Sequence, residues 1–337
     1  SVERSRVRIH SMRFWRRLCA FLVLTLLLAS VRETRSHWVE QTEEPELHRY
    51  RRIISGQNAK NSEYPFIVSI QAKLQNGLHT LLFGGLEHFC GGTLIDPRWI
   101  LTAAHCMYAY TEEGELIRLL DVKQWHVRMA TDKLRPSIMD RLRGLFHRAY
   151  NKIFGYRKLQ TFYHLKKIVI HPDYVEGFLE NDIALLKLKE PILVHRIPTL
   201  DVLPMPNGTE NYANWPAVGQ NCTALGWGCS CATCPPEMYM QVLRLPIIAP
   251  QVCRKMYKAP INLTETKEFC AGFFRANTGI CPGDSGGPLV CEHNGQKLLA
   301  GIVSATHAKK PESYPAVFTR VSYFVDWVRS VIEKDVN

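Results

Sequence analysis

Short apolar runs of five to nine residues, separated by turn-forming residues, make up much of the chain beyond Ile53. Runs of this length predict β-strands, and many short strands with little helix between them predict an all-β barrel or sandwich. The predicted strands are Phe66–Gln71, Trp99–Ala103, Leu165–Ile170, Ile183–Leu188, Ala217–Leu225, Met240–Ile247, Leu298–Val303 and Ala316–Val321.

The C-terminal segment follows a different period, because its apolar residues recur three and four positions apart. This spacing predicts an amphipathic helix that closes the domain, with Ser322 as its N-cap. The apolar positions are Val321, Phe324, Val325, Val328, Val331 and Ile332.

The N-terminal part of the chain differs in composition from the rest. Residues 1–11 precede the first methionine and are interpreted as upstream readthrough. Residues 12–36 combine arginines with an apolar run, 18–30, that is too short to span a bilayer, so they predict a secretory signal peptide. Residues 37–52 are polar and end in Arg51-Arg52. This composition predicts a removable pro-segment, and the alternative is a solvated linker.

Composition and charge exclude several classes of protein. With 46% apolar and 22% charged residues, the chain is an ordinary globular sequence. The net charge is +11, but residues 1–36 hold eight arginines against two glutamates, which leaves 34 basic and 29 acidic residues in the remainder. The sequence has no basic and aromatic module, so nucleic-acid binding is not expected.

Cysteines and two sequons point to an extracellular location. Ten of the eleven cysteines lie beyond the signal segment, and an even number in a secreted chain predicts a disulfide framework. The triplets that begin at Asn207 and Asn262 match the N-glycosylation signal and fit the same compartment.

The stretch Gly283-Asp284-Ser285-Gly286-Gly287 carries the candidate chemistry. Glycines permit a turn that exposes one hydroxyl and points bare N–H groups at the same place, as acyl transfer needs. A serine nucleophile also needs a base and a carboxylate that orients the base. His105 follows one predicted strand and Asp182 precedes another. Taken singly, each has an ordinary alternative: a surface turn, a packed histidine and a turn aspartate.

Taken together, Thr102-Ala103-Ala104-His105-Cys106, Asp182-Ile183-Ala184-Leu185-Leu186 and Gly283-Asp284-Ser285-Gly286-Gly287-Pro288 resemble, in this order, the chymotrypsin/trypsin family of serine endopeptidases. The resemblance covers nearly all of residues 53–337. It implies an all-β domain of two six-stranded antiparallel β-barrels with a C-terminal helix, and a boundary between the barrels near residue 200.

The resemblance assigns a role to each motif residue. His105 would act as general base and then as general acid, Asp182 would orient it, and Ser285 would be the nucleophile. The N–H groups of Gly283 and Ser285 would form the oxyanion hole. Ser304 would donate a hydrogen bond to Asp182.

The resemblance also implies that the chain is a zymogen. Cleavage of the Arg52–Ile53 bond would free the Ile53 ammonium group to pair with the buried carboxylate of Asp284, and this pair would order the oxyanion loop. Because arginine also stands at positions 49 and 51, a furin-like or trypsin-like protease is the expected activator.

The residues that the resemblance places at the primary specificity pocket are Gly279, Ile280, Ser304, Thr306 and Ala316. Gly279 stands where trypsin-like members carry aspartate, so no charge would meet a lysine or arginine of the substrate. Thr306 would narrow the entrance, which predicts a preference for small or medium uncharged residues. Ala305 replaces the usual tryptophan, and Pro282 precedes the oxyanion glycine. Both are departures from the family pattern.

Three disulfide bonds are implied by the resemblance: Cys90–Cys106, Cys222–Cys291 and Cys253–Cys270. Lys309 occupies the usual partner position of Cys281. The cysteines left over are therefore Cys229, Cys231, Cys234 and Cys281. We expect Cys281 to pair with one of the other three and the remaining two to pair; the alternative is a four-cysteine zinc site.

The segment between His105 and Asp182 is longer than the family pattern and contains a basic stretch, residues 135–158, with apolar residues at helical spacing. One interpretation is a basic helix that binds an anionic partner, such as a sulfated glycan or an acidic protein; the alternative is a solvated face. The stretch lacks the carboxylate cluster of a calcium loop, so calcium is not expected. No other metal and no cofactor is predicted for the chain.

These observations predict a secreted, monomeric serine endopeptidase without a membrane span, which hydrolyses protein or peptide substrates through an acyl-enzyme. The alternative is a catalytically weak, protease-like protein that uses the fold and the basic stretch to bind a partner. The presence of His105, Asp182 and Ser285 favours the enzyme.

Overall fold

A computed structural model describes residues 56–60, 63–73, 86–110, 114–135, 162–194, 197, 199–207, 212, 214–231, 234–257 and 263–335. The predicted readthrough, signal and pro-segments, Arg52, Ile53, Asn262 and all of the basic stretch except Arg135 lie outside these residues.

Strands dominate the described residues. The strands are β1 Gln57–Asn58, β2 Ile67–Lys73, β3 Leu86–Asp96, β4 Trp99–Thr102, β5 Tyr108–Tyr110, β6 Leu116–Arg118, β7 Trp125–Arg128, β8 Phe162–Ile170, β9 Ala184–Leu188, β10 Asn221–Gly226, β11 Gln241–Ile248, β12 Glu268–Ala271, β13 Pro288–His293, β14 Gln296–Ala305 and β15 Ala316–Arg320. The α-helices are α1 Pro250–Met256 and α2 Val321–Lys334.

The first barrel is closed and antiparallel, with the strand order β2-β3-β4-β9-β8-β7. Fully buried side chains such as Ile70, Leu94, Ile100 and Trp125 belong to its core. Burial of an apolar side chain of this size contributes about 1.5–3 kcal/mol to the free energy of unfolding. Strands β5 and β6 form a separate hairpin that follows the β4 end of this barrel.

The second barrel has the strand order β11-β10-β13-β14-β15-β12 and is closed by the pairing of β12 with β11, while β1 extends the sheet along β11. Phe269 and Phe318 stack in its core with ring centroids 5.7 Å apart. The chain passes from the first barrel to the second between Leu188 and Asn221. The predicted fold class, two six-stranded barrels with a C-terminal helix, is confirmed.

Helix α2 covers the predicted apolar positions. Its buried residues are Val321, Phe324, Val325 and Val328. The predicted N-cap is wrong: the helix begins directly after β15, so Arg320 is the N-cap, Ser322 lies in the first turn, and no side chain caps the helix. Among the described residues, neither α2, with 14 residues, nor the shorter α1 is long and apolar enough to cross a membrane.

Candidate active site

His105 and Asp182 meet because they flank two paired strands. Thr102 at the end of β4 lies opposite Ala184 at the start of β9, so both side chains emerge at the same end of the barrel. His105 Nδ1 lies 2.8 Å from Asp182 Oδ2, and the His105 backbone N–H donates to Asp182 Oδ1 at 2.9 Å. Ser304 Oγ donates to Asp182 Oδ2 at 2.6 Å. The Asp182 carboxylate only accepts, so His105 Nδ1 carries the hydrogen and Nε2 is left to act as a base.

The surroundings of His105 favour its protonated form. Burial disfavours the charged ring, but the carboxylates of Asp182 and Glu176 outweigh this effect and raise the pKa of His105 above its usual value of 6.5. Asp182 is 2% exposed, and its hydrogen bonds to His105 and Ser304 hold the carboxylate in place. The site thus stabilises the imidazolium ion that forms when Nε2 accepts a proton.

Ser285 is held beside this pair by contacts of its own backbone. Its carbonyl accepts a hydrogen bond from the N–H of Gly91 at 2.7 Å. The next residue, Gly286, has φ +75° and lies so close to Thr102 that a Cβ would stand 2.2 Å from the Thr102 Oγ1. Only glycine fits at this position. Ser285 therefore lies at the end of β4, from which the chain continues to His105.

The structure does not join the serine to the imidazole by a hydrogen bond. Among the described residues, the polar atom nearest to His105 Nε2 in a recorded contact is Cys106 Sγ, at 3.9 Å. No hydrogen bond links Nε2 to Ser285 Oγ. In enzymes without substrate, such bonds are often long and tighten only when the substrate binds.

Gly283 and Ser285 present backbone donors at one turn. Gly283 has φ +96°, in the left-handed region that glycine favours. Neither of the two N–H groups has an acceptor within the part of the chain that the structure describes. Two unengaged N–H groups in one turn are suited to bind the oxyanion of an acyl-transfer reaction.

Asp284, between these donors, is completely buried. Its Oδ1 accepts from the N–H of Gly228 at 2.7 Å and its Oδ2 accepts from the N–H of Cys281 at 3.0 Å. Burial raises the pKa of Asp284 to about 7, although both N–H bonds act to lower it. No cation among the described residues pairs with this carboxylate; Ile53, its predicted partner, lies outside them.

His88, which no sequence motif identifies, holds the carbonyl of Gly283. A carbonyl only accepts, so His88 Nε2 donates to it at 2.7 Å, and Nδ1 accepts from Ser69 Oγ at 2.9 Å. Gln71 Nε2 donates in turn to Ser69 Oγ at 3.1 Å. Burial lowers the pKa of His88 to about 4, which keeps the ring neutral and this chain of bonds intact near pH 7. The only feature of the sequence that could have pointed to His88 is its position two residues before Cys90.

Two of the predicted pocket residues are hydrogen-bonded to each other, and a third has no room for a side chain. Thr306 Oγ1, on one predicted wall, donates to the carbonyl of Ile280, next to the predicted base, at 3.1 Å. A Cβ on Gly279 would lie 2.5 Å from the carbonyl oxygen of Pro311, so no side chain fits at the base. Ala316 is buried. The hydroxyl of Ser304, also predicted at the pocket, donates the predicted hydrogen bond to Asp182.

All ten described cysteines are in disulfide bonds. Cys90–Cys106, Cys222–Cys291 and Cys253–Cys270 are the three bridges that the resemblance implies. Cys281 pairs with Cys229, and Cys231 pairs with Cys234. The alternative of a four-cysteine zinc site is wrong, because these four sulfur atoms are not available as thiolates.

The chain matches the model of a known protein family. The sequence profile described as Trypsin matches residues 53–138 and 145–328. The chain belongs to the trypsin family. The two barrels and the relatives described next agree with this assignment, and they support a serine protease.

Members of the trypsin family in three mammals are similar over most of their length. The tryptase of Mus musculus is 29% identical over 293 residues, which cover 84% of this chain and 89% of that protein. Trypsin V-A of Rattus norvegicus is 28% identical over 284 residues, with 84% and 91% covered. The anionic trypsin of Canis lupus familiaris is 31% identical over 284 residues, with 83% and 90% covered.

Proposed function

We propose that this member of the trypsin family is an active serine endopeptidase, with His105 as general base, Asp182 as its orienting carboxylate and Ser285 as nucleophile. The observation that carries the proposal is the chain of hydrogen bonds from Ser304 through Asp182 to His105, at the end of β4 where the Ser285 turn also lies. A histidine held in one tautomer by a buried carboxylate, next to a turn with a half-buried serine, is suited to acyl transfer.

In the proposed reaction, His105 Nε2 removes the proton of Ser285 Oγ as that oxygen attacks the carbonyl carbon of the scissile bond. The oxyanion that forms is bound by the N–H groups of Gly283 and Ser285. The protonated imidazole then gives its proton to the leaving amine, and the acyl-enzyme remains. Water, deprotonated by the same nitrogen, attacks the acyl-enzyme and releases the acid product. The position of Asp182 supports this sequence, because its charge stabilises the imidazolium ion.

We propose that the substrate residue before the scissile bond (P1) is small or medium in size and uncharged. The hydrogen bond between Thr306 and Ile280 supports this preference, since it holds in place the side chain that would narrow the entrance. The carbonyl of Pro311 at the base supports it further, because a long side chain would meet the backbone there. No acidic side chain stands at Gly279 to pair with a basic substrate residue.

We propose that the chain is secreted as a zymogen and activated by cleavage at Arg52–Ile53. Five disulfide bonds support an oxidising compartment. The exposed position of Asn207 supports glycosylation there. The buried carboxylate of Asp284 supports activation, because a buried charge needs a cation that the Ile53 ammonium group would supply.

The proposal is tested with a fluorophosphonate probe, which reacts with activated serines, on the protein cleaved after Arg52. The wild type should be labelled at Ser285, and Ser285→Ala and His105→Ala should each lose the label. His164→Ala, which removes an exposed histidine of the same barrel, should keep it. A cleaved, folded wild type that is not labelled would contradict the enzyme and favour the binding-protein alternative.

A further inference from the structure

The turn that carries Ser285 is covalently attached to the segment that follows β10. Cys281 at the start of the turn is bridged to Cys229, which lies 52 residues earlier in the sequence. The two cysteines are 1% and 2% exposed, so the bridge is enclosed by the fold. No other described disulfide bond reaches the turn from Cys281 to Gly287.

Non-covalent contacts join the same two segments on either side of the bridge. Asp284 accepts from the N–H of Gly228, the residue before Cys229, and from the N–H of Cys281 itself. The N–H of Cys229 donates to the carbonyl of Pro282 at 3.1 Å. The bonds from Gly228 and Cys229 cross between the two segments and depend on their staying together, whereas the bond from Cys281 lies within the turn.

The oxyanion glycine lies directly on the bridged segment. A Cβ on Gly283 would stand 3.2 Å from the Cα of Gly228, so the two backbones are in contact. If the segments separated, Gly283 would lose this support and its N–H would turn away from that of Ser285. Hydrogen bonds and a carboxylate clamp can open, whereas a disulfide bond limits the separation whatever the protonation state of Asp284.

We propose that Cys229 and Cys281 are a positioning pair for the oxyanion hole: their bridge keeps the N–H groups of Gly283 and Ser285 aimed at one point. This inference rests on the proposed function. It assigns to the bridge an effect on the rate of the chemical step, beyond a general contribution to stability. The bridge touches no substrate, so it acts through the turn alone.

The neighbouring bridge provides a matched control. Cys231–Cys234 lies in the same segment and spans three residues, and it forms no covalent bond to the Ser285 turn, although the Cys231 carbonyl oxygen lies 3.7 Å from Cys281 Sγ. Its removal should loosen the local loop to a similar degree without releasing the oxyanion donors.

The kinetic test compares the double variants Cys229→Ser/Cys281→Ser and Cys231→Ser/Cys234→Ser after cleavage at Arg52. The first should lower kcat by about 10–100-fold with KM within about threefold, since removal of one oxyanion donor costs roughly 100–1,000-fold in kcat. The second should keep kcat within about twofold. Equal kcat in the folded first variant and the wild type would overturn the proposal.

Hydrogen exchange tests the same inference without turnover. The amides of Cys281 and Gly286 are hydrogen-bonded to Asp284 and Val303, and they should exchange faster in the first variant but not in the control. Unchanged exchange would also overturn the proposal. If the serine pair is not secreted, Cys229→Ala/Cys281→Val keeps apolar bulk in the buried site and serves instead.

The two hypotheses fail separately. A wild type that neither reacts with the fluorophosphonate nor hydrolyses peptides removes the proposed function, and the exchange measurement then still decides whether the bridge orders the turn. A wild type that is active together with an equally active bridge variant removes the positioning role alone.

Discussion

The protonation of His105 determines the pH range in which the proposed base can work. Glu176, which is not one of the three proposed catalytic residues, is one of two carboxylates that raise the pKa of this histidine. Glu176→Gln should therefore lower the pKa of His105 and move the acid limb of kcat/KM to lower pH, with the plateau unchanged. The pH profile of kcat/KM measures the shift. Glu292→Gln, an exposed site on β13, should leave the limb in place, and an upward shift in Glu176→Gln would contradict the argument.

Thr306 controls the space available to the substrate side chain if the proposed pocket is correct. Thr306→Gly removes both its bulk and the hydrogen bond to Ile280. It should raise kcat/KM for leucine relative to alanine at P1 by about 10–100-fold, because each extra methylene in an apolar pocket is worth roughly tenfold or more. A peptide library with P1 varied measures the ratio. Thr306→Ser keeps the hydroxyl and should change the leucine-to-alanine ratio of kcat/KM by less than about fivefold. Identical profiles for Thr306→Gly and the wild type would contradict this role.

The residues that the sequence could identify are those in short motifs. His105, Asp182 and Ser285 each lie in a run of adjacent residues that resembles the family. His88 acts through a contact across the fold, 195 residues from the carbonyl that it holds, and Glu176 acts on His105 through its charge. A lone histidine or glutamate gives no local signal of such a contact, so these two residues could not be predicted.

At the scale of elements, the predicted strands are those with continuous apolar runs, and all eight overlap strands of the structure. Two of the missed strands contain small or polar residues for specific reasons. Strand β3 contains Gly91 and Gly92 where neighbouring backbone and side chains approach closely. Strand β12 contains a buried glutamate, Glu268. The predicted strand 217–225 begins only at Asn221, because residues 217–220 form a turn with Gly219 at φ +84°.

Glu268 makes strand β12 sensitive to pH. Burial raises the pKa of Glu268 to about 7, and Oε1 has no hydrogen-bond partner among the described residues, while Oε2 accepts from the N–H of Thr264. The folded state thus binds a proton between about pH 4.5 and pH 7 that the unfolded state releases, so stability falls as pH rises through this window.

Glu268→Gln should remove this loss, because the amide stays neutral at every pH. At pH 8 the variant should be more stable than the wild type by about 2–3 kcal/mol, and near pH 4 the difference should vanish. Urea unfolding at both pH values measures it. Glu265→Gln changes an exposed ion pair with Arg254 nearby and should shift stability by less than about 1 kcal/mol. Lower stability of Glu268→Gln at pH 8 would mean that the carboxylate is paired and charged.

At the scale of the whole molecule, the site is assembled from both barrels. His105 and Asp182 come from the first barrel, whereas Ser285 and Ser304 come from the second. The barrels can meet closely here because Gly91 has no side chain. A Cβ at this position would stand only 2.8 Å from the Cα of Gly287. The order of the motifs predicted this architecture through the family resemblance. Pairing of Cys281 could not be predicted, since three cysteines in one loop were equally available and only their positions in space decide.

Activation links the N-terminal region to the active site in the proposed mechanism. Arg52→Gln should yield a full-length protein whose kcat/KM is at least about 100-fold below that of the cleaved wild type. The reason is that Asp284 would lack the Ile53 ammonium group, and its buried carboxylate would be left with two N–H donors and a pKa of about 7. Fluorophosphonate labelling and peptide turnover measure the loss.

Arg49→Gln is the matched control, because it removes a basic residue from the same segment and leaves the Arg52–Ile53 bond intact. Cleavage by a furin-like protease should fall in this variant, whereas a trypsin-like protease should still produce full activity. The pair of variants therefore separates the need for the new N-terminus from the identity of the activator. Normal turnover of uncleaved Arg52→Gln would rule out the switch, and the order of the Ser285 turn would then have to come from the Cys229–Cys281 bridge and its neighbouring hydrogen bonds.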